Sequence, residues 1–280
     1  MPTSSFPIVT TCRSAADSEY RLRIEAAFGR PVPTVDTLAP LALVRYAATS
    51  LSGSDLGDGW MHPVRVAYRS ACIRWHTQIR QGKASPYVAF PLLTRPFPAH
   101  DKVIGNPVRH RDLDVLVVLD MRVESHPAGH LAGIVTEIET LARNGLSVGI
   151  VHLESLIEGR PPIVYAPIIQ DLIVNGTVQL VLLEDDVHAA TVVIRNASVL
   201  QAVPFTGSGV VADRCVIFDD AASGRDRRAH NFARADVEAS VSRLFGVVPV
   251  WRGVLGAIDY GFLQTNRALE SSSGTSGSLS

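Results

Sequence analysis

The chain has 280 residues, 46% of them hydrophobic and 19% charged, and a formal net charge of −1 at pH 7. That balance fits a globular protein with one large core or two modest ones, and it excludes disordered and collagen-like chains and any global basic charge that would call for nucleic acid. Cys12, Cys72 and Cys215 are far apart and lack zinc-type spacing, so no disulfide framework and no metal centre is expected; buried reduced thiols are the simpler reading.

The first dozen residues lack the basic start and long apolar run of a signal peptide. No apolar stretch approaches the roughly 18–20 residues that span a bilayer, so a cytoplasmic chain is expected. Met1–Arg111 reads as a mainly helical segment. Asp17–Phe28 places Tyr20, Ile24, Ala27 and Phe28 on one face, with Gly29 as the stop. Thr37–Leu51 is apolar and carries Pro40 in its first turn, where proline is tolerated. His62–Lys83 opens with Pro63 and sets Val66, Ile73 and Ile79 among Arg65, Arg69, Arg74 and Arg80. Its arginines raise peripheral contact with the inner face of a membrane beside the simpler reading of ordinary surface charge. Ser85–Pro107 is studded with prolines and reads as an irregular strap.

Asp112–Tyr260 reads as an α/β domain. Leu113 and Val115–Leu119 form a continuous β-branched-rich run, as in a parallel strand covered on both faces. Leu131, Ile134, Val135, Ile138, Leu141 and Ala142 then recur at helical spacing, and Asn144-Gly145 ends that helix. Ser147–Leu153 is a second buried strand. A helix over Ile163–Asn175, strands over Val178–Leu183 and Thr191–Ile194, a brief helix over Asn196–Ala202 and a strand over Arg214–Phe218 follow. Val237, Val241, Leu244 and Phe245 mark a last helix stopped by Gly246, and Val247–Trp251 a last strand. The alternation predicts a Rossmann-like parallel sheet of about six strands. Residues 261–280 read as a Ser/Gly-rich tail, expected to be flexible.

There is no G-x-G-x-x-G after the first strand, no Walker loop, no H-E-x-x-H and no nucleophile elbow. Function is therefore sought at the carboxyl edge of the sheet, where such folds bind ligands. His126 and His130 flank Gly129 at a helix entrance, so they are candidates for a general base or an anion contact, against the plainer reading of solvated loop histidines. Glu184-Asp185-Asp186 with His188 follow the third strand and are assigned to the same edge. Three acids and a histidine would suit a divalent cation held through oxygen ligands, although a charged surface loop is the simpler reading. Asp219 and Asp220 end the fifth strand, and Arg225, Arg227, Arg228, His230 and Arg234 follow. Guanidinium groups there would suit an anionic substrate.

The stretches DVLVVLDMR, EIETLARNGLSVGIVHLES, VVIRNASVLQAVP, RCVIFDDA and VSRLFGVVPVW, taken in order, resemble the N-terminal half of GT-B glycosyltransferases. They look most like the actinobacterial family-4-type enzymes that build cell-surface polysaccharides. The resemblance covers about half the chain. It implies an acceptor-side half that works with a nucleotide-sugar donor as co-substrate, needs no other cofactor, and acts on a glycan acceptor of the cell envelope. In that family the loop after the first strand is glycine-rich, and of His126–His130 only Gly129 matches. The donor-binding half has no counterpart in the residues after Trp251, which implies a fragment or a second chain that supplies it. His126 and His130 would then be catalytic, with Gly129, Asp185, Asp219, Arg225, Arg227 and Arg228 holding substrate. Two alternatives stand beside this reading. One is a non-catalytic binding or assembly protein that retains the half-fold; the other is an independent α/β enzyme acting on a phosphorylated small molecule.

Overall fold

A strand that is apolar on both faces has to be covered on both, and Leu113–Leu119 dictates the centre of the fold in that way. A computed structural model of the protein describes residues 16–33, 63–88, 95–98, 100–101, 107, 109–122, 130–155, 164–201, 203, 207–219 and 233–253. The chain divides into two compact units. The first comprises Met1–Val108, Arg122–Glu124 and Pro161–Gly176; the second comprises Arg109–Met121, Ser125–Arg160 and Thr177–Ser280.

The second unit is a seven-stranded sheet made of β1 (Arg111–Leu119), β2 (Val148–His152), β3 (Gln179–Val181), β4 (Val187–Ile194), β5 (Val210–Ala212), β6 (Cys215–Asp219) and β7 (Pro249–Gly253). Its order is β3-β2-β1-β4-β6-β7, with β5 paired to β4 off that path, and every pairing is parallel. The expected parallel α/β sheet is thus observed, with one strand more than the sequence reading names. The extra strand, β5, is three residues long and follows Gly207-Ser208-Gly209, too short to give an apolar run. Thr191–Ile194 proves to be only the end of β4, which starts at Val187 because Arg111–Leu113 of β1 pairs with Val187–Ala189.

The helix after β1 spans His130–Arg143 and buries Ile134, Val135, Ile138 and Leu141, the predicted stripe. Gly145 beyond it adopts φ 78°, the left-handed conformation that lets the chain turn into β2. The helix Arg234–Phe245 buries Val237, Val241, Leu244 and Phe245 in a core with Val118, Ile194 and Ile217 of the central strands.

In the first unit, α1 (Ala16–Phe28) meets α2 (Pro63–Arg80). The inward face of α1 differs from the expectation. Glu19, Arg23 and Ala26 are buried, Tyr20 and Ile24 only partly, and Phe28 is exposed. A buried ion pair between Glu19 and Arg23 outweighs the apolar count on which the prediction rested. Trp75 and Phe97, with ring centroids 5.5 Å apart, fill the core beside Ala26, Cys72 and Ile79.

The helix expected over Ile163–Asn175 is Pro167–Val174. Proline at its first position forces Ala166 into an extended conformation (φ −56°, ψ 139°), so the chain cannot be helical any earlier. Just upstream, the Tyr165 backbone N–H donates to Ser70 Oγ on α2 at 2.9 Å. The Arg74 guanidinium on α2 donates to Asp171. The helix predicted over Thr37–Leu51, most of the proline-rich strap and the Ser/Gly tail lie outside the described residues.

Candidate functional site

Strand order reverses between β1 and β4: the chain leaves β1 towards β2 on one side and leaves β4 towards β6 on the other. Such a reversal opens a crevice beyond the carboxyl ends of the two strands, where open α/β sheets hold ligands. The residues immediately beyond those ends are Asp120-Met121 and Arg195-Asn196, and His152 is the last residue of β2. Asp120, His152, Ser155, Arg195 and Ser198 are all buried. Five polar side chains at one sheet edge are the kind of concentration that a fold keeps only when the groups are hydrogen-bonded.

Backbone amides fix the geometry. Ser155 N–H donates to Asp120 Oδ2 at 2.9 Å. Met121 N–H donates to His152 Nδ1 at 3.1 Å. An amide is always the donor, so Nδ1 presents its lone pair and the neutral ring carries its proton on Nε2. Asp120 Oδ1 lies 3.8 Å from the same nitrogen, but with Nδ1 accepting from Met121 this approach is not an ion pair. Asn196 Oδ1 accepts from Ser198 N at 2.9 Å and caps the 3-10 helix Ala197–Leu200. Ser198 Oγ donates to Ser155 Oγ at 3.3 Å, which links the loop after β4 to the loop after β2. Arg195 N–H donates to Val118 O, tying the exit of β4 to β1. The Arg195 guanidinium lies 3.2 Å from Glu137 Oε2 and 5.0 Å above the Phe218 ring. Paired hydroxyls, a fixed imidazole N–H and a buried guanidinium suit recognition of hydroxylated or anionic small molecules.

The predicted site residues fare differently. His126, Gly129, Arg225, Arg227 and Arg228 lie outside the described residues. His130 opens its helix and Asp219 ends β6, but the side chains of both lie outside the described residues. Asp185 does not belong to the carboxyl edge. Its carboxylate accepts from Arg111 Nη2 at 2.6 Å and from Leu182 N at 2.9 Å, and Arg111 is the first residue of β1, so Asp185 fastens the amino edge. His188 lies inside β4, with Nε2 3.0 Å from Asp213 Oδ1, and belongs to that same edge. Three-residue β3 ends early, and the acidic stretch therefore leads into β4. Arg234, last of the basic series, pairs with Glu238 at 3.1 Å and covers Trp251 at 4.6 Å. Its charge is used within the fold.

Asp120, His152, Ser155 and Ser198 were not singled out from the sequence. A usable signal was present, since Asp120 is the first polar residue after the apolar run of β1 and His152 is the last residue of an otherwise apolar β2. Comparison with protein-family models, curated proteins and solved structures finds no match. Among the described residues, no helix is long and apolar enough to cross a membrane.

Proposed function

We propose that the second unit binds a small hydroxylated ligand at the carboxyl edge between β1 and β4, as the acceptor-side half of a sugar-transfer enzyme. The observation that carries this reading is the cluster of buried Asp120, His152, Ser155 and Ser198, with half-buried Asn196 beside them, at the point where strand order reverses. Hydroxyls, an imidazole and a carboxylate are the kinds of group with which proteins recognise a sugar. A nucleotide-sugar is the donor, a cell-envelope glycan the acceptor, and a second half or second chain holds the donor diphosphate. Transfer needs a base at the acceptor hydroxyl and positive charge at the leaving diphosphate. His126 and His130 are the candidates for the base, and Arg225, Arg227 and Arg228 for the charge. The setting is cytoplasmic, at the inner face of the membrane where envelope precursors are assembled.

One feature favours a second reading, a non-catalytic binding or assembly protein. Asp120 Oδ2 and His152 Nδ1 are both committed to backbone N–H groups, which leaves the cluster suited to holding a ligand rather than moving its proton. Calorimetry and turnover assays of the purified chain, with nucleotide-sugars and glycans, separate the two. Binding that Ser198→Ala weakens by about tenfold, the worth of one lost hydrogen bond, supports the site. Turnover lost on His126→Ala or His130→Ala supports the enzyme, and binding without turnover in the presence of a donor half supports the second reading. Binding of neither ligand class overturns both.

A further inference from the structure

The first unit holds a buried group that the carboxyl-edge site does not use. Cys72 and His76 are one helical turn apart on α2 and share a face, and Glu19 approaches them from α1. All three are buried, with Glu19 at 3%, His76 at 3% and Cys72 at 5% exposure. Their ligand atoms lie within 4.8 Å of one another. His76 Nε2 is 3.2 Å from Glu19 Oε1 and 3.6 Å from Cys72 Sγ, while Nδ1 is 3.9 Å from the sulfur.

Two chemistries can be asked of a cysteine, a histidine and a carboxylate. In a nucleophilic triad, one imidazole nitrogen faces the thiol and the other faces the acid. Here the same nitrogen, Nε2, is the nearer one to both, so the relay geometry is absent. Burial of the sulfur also closes it to a substrate. Convergence of three donors on one point is instead what a cation needs. From zinc–sulfur and zinc–nitrogen bonds of about 2.3 and 2.05 Å, a tetrahedral site has an S···N edge of about 3.6 Å and an N···O edge of about 3.4 Å. The observed 3.6 and 3.2 Å match those edges without rearrangement.

An independent pointer comes from the carboxylate. Glu19 Oε1 takes both His76 and the Arg23 guanidinium, whose Nε is 3.4 Å away. Oε2 is buried and makes no hydrogen bond among the described residues. A buried carboxylate oxygen without a donor is costly, and a cation would repay that cost. We infer that Cys72, His76 and Glu19 form a structural binding site for a zinc-class divalent cation linking α1 to α2, with the carboxylate bidentate to complete four donor atoms. Binding uses a thiolate and the Nε2 lone pair of a neutral imidazole whose proton sits on Nδ1, so the thiol proton is the one released and affinity rises with pH. The occupied site carries the ion's two positive charges against one thiolate and one carboxylate, and Arg23 adds one more. The Tyr20 and Trp75 rings, 5.4 and 5.6 Å from the guanidinium, attract the Arg23 charge, but the net positive excess makes binding weaker than in a thiolate-rich cage.

The test is a Co²⁺ titration of the full reduced chain after chelator treatment. One equivalent should produce a thiolate-to-cobalt charge-transfer band and the intense visible bands of a tetrahedral ion, both displaced by Zn²⁺. Cys72→Ser should abolish the charge-transfer band and Cys215→Ser should keep it. Glu19→Gln should weaken binding by about 100-fold, at the upper end of what losing a mere outer-sphere partner costs. The wild-type titration stands without any variant, and absence of the thiolate band at one equivalent overturns the inference. So does a band that survives Cys72→Ser.

Discussion

Gly209→Ala should unfold the sheet unit far more readily than its exposed-loop setting suggests. A β-carbon added at Gly209 would lie 2.5 Å from Asp185 O, 3.0 Å from Asp185 C and 3.2 Å from Glu184 O. Ordinary contact begins near 3.5 Å, so the overlap with the carbonyl oxygen is about 1 Å, and the obstacle is backbone that no rotamer change can clear. Gly209 is itself pinned, since its N–H donates to Leu183 O at 2.7 Å and its carbonyl accepts from Val187 N. Relief therefore has to move Glu184-Asp185, which pulls the Asp185 carboxylate off Arg111 and Leu182. Overpacking of this kind costs about 1–3 kcal/mol, and loosening a charge-assisted hydrogen bond about 1.5–3 kcal/mol more. The sum is about 2.5–6 kcal/mol, or a fall of roughly 5–24 °C in melting temperature at about 2–4 °C per kcal/mol. Gly207→Ala is the control: nothing lies within 4 Å of its added β-carbon, and it should stay within about 0.5 kcal/mol of the parent. Urea and thermal denaturation followed by circular dichroism measure both. A Gly209→Ala protein as stable as the Gly207→Ala control would refute the reasoning.

Two titrations give further checks. Burial pushes the Cys215 thiol up from 9.0 to about 12, so iodoacetamide at pH 8 should leave it unlabelled in the native protein and label it in urea, as read by peptide mass spectrometry. The same shift makes the native state lose stability as pH rises from about 9 towards 12, where only the unfolded chain ionises. His110, hydrogen-bonded through Nδ1 to Asp186 at 2.8 Å, is raised above its ordinary 6.5 by that bond and by the Asp186 charge. Its contribution to stability is present below 6.5 and lost as pH rises through the raised value. NMR titration should show the elevation, and Asp186→Asn should bring it down; an unmoved midpoint would contradict the assignment.

Where sequence was readable, burial was nearly complete. The run Val115–Leu119 and the stripe Ile134–Leu141 are apolar enough that only one periodicity fits, and both formed as read. The start of β4 was hidden because Val187-His188-Ala189-Ala190 carries a single large apolar residue and is held by pairing with β1, a partner some 75 positions away. The inner face of α1 departs from the apolar pattern for a related reason, since Glu19 is held by Arg23 one turn along the same helix and by His76 on α2. The candidate site was partly legible in the same sense. The sheet edge is legible from the strand pattern, but Asp120 and His152 stand as single polar residues at strand ends and carry no local motif of the kind that the loop histidines show. Asp185 was assigned to the wrong edge because the length of a strand as short as β3 is set by its neighbours rather than by its composition.

The helix Pro167–Val174 belongs to the first unit although it is encoded inside the second, and this bears on synthesis. Ser70 and Arg74 take Tyr165 and Asp171 as partners, 95 and 97 positions further along. At a translation rate of about 5–20 residues per second, α1 and α2 wait about 5–20 s for that helix to leave the ribosome. Until then, the side of α2 that receives it stands open to chaperones and to neighbouring nascent chains. Dissection meets the same obstacle. A protein truncated to begin at residue 109 would carry Ile169 and Leu172 on a helix stripped of α2, so no single cut separates the two units.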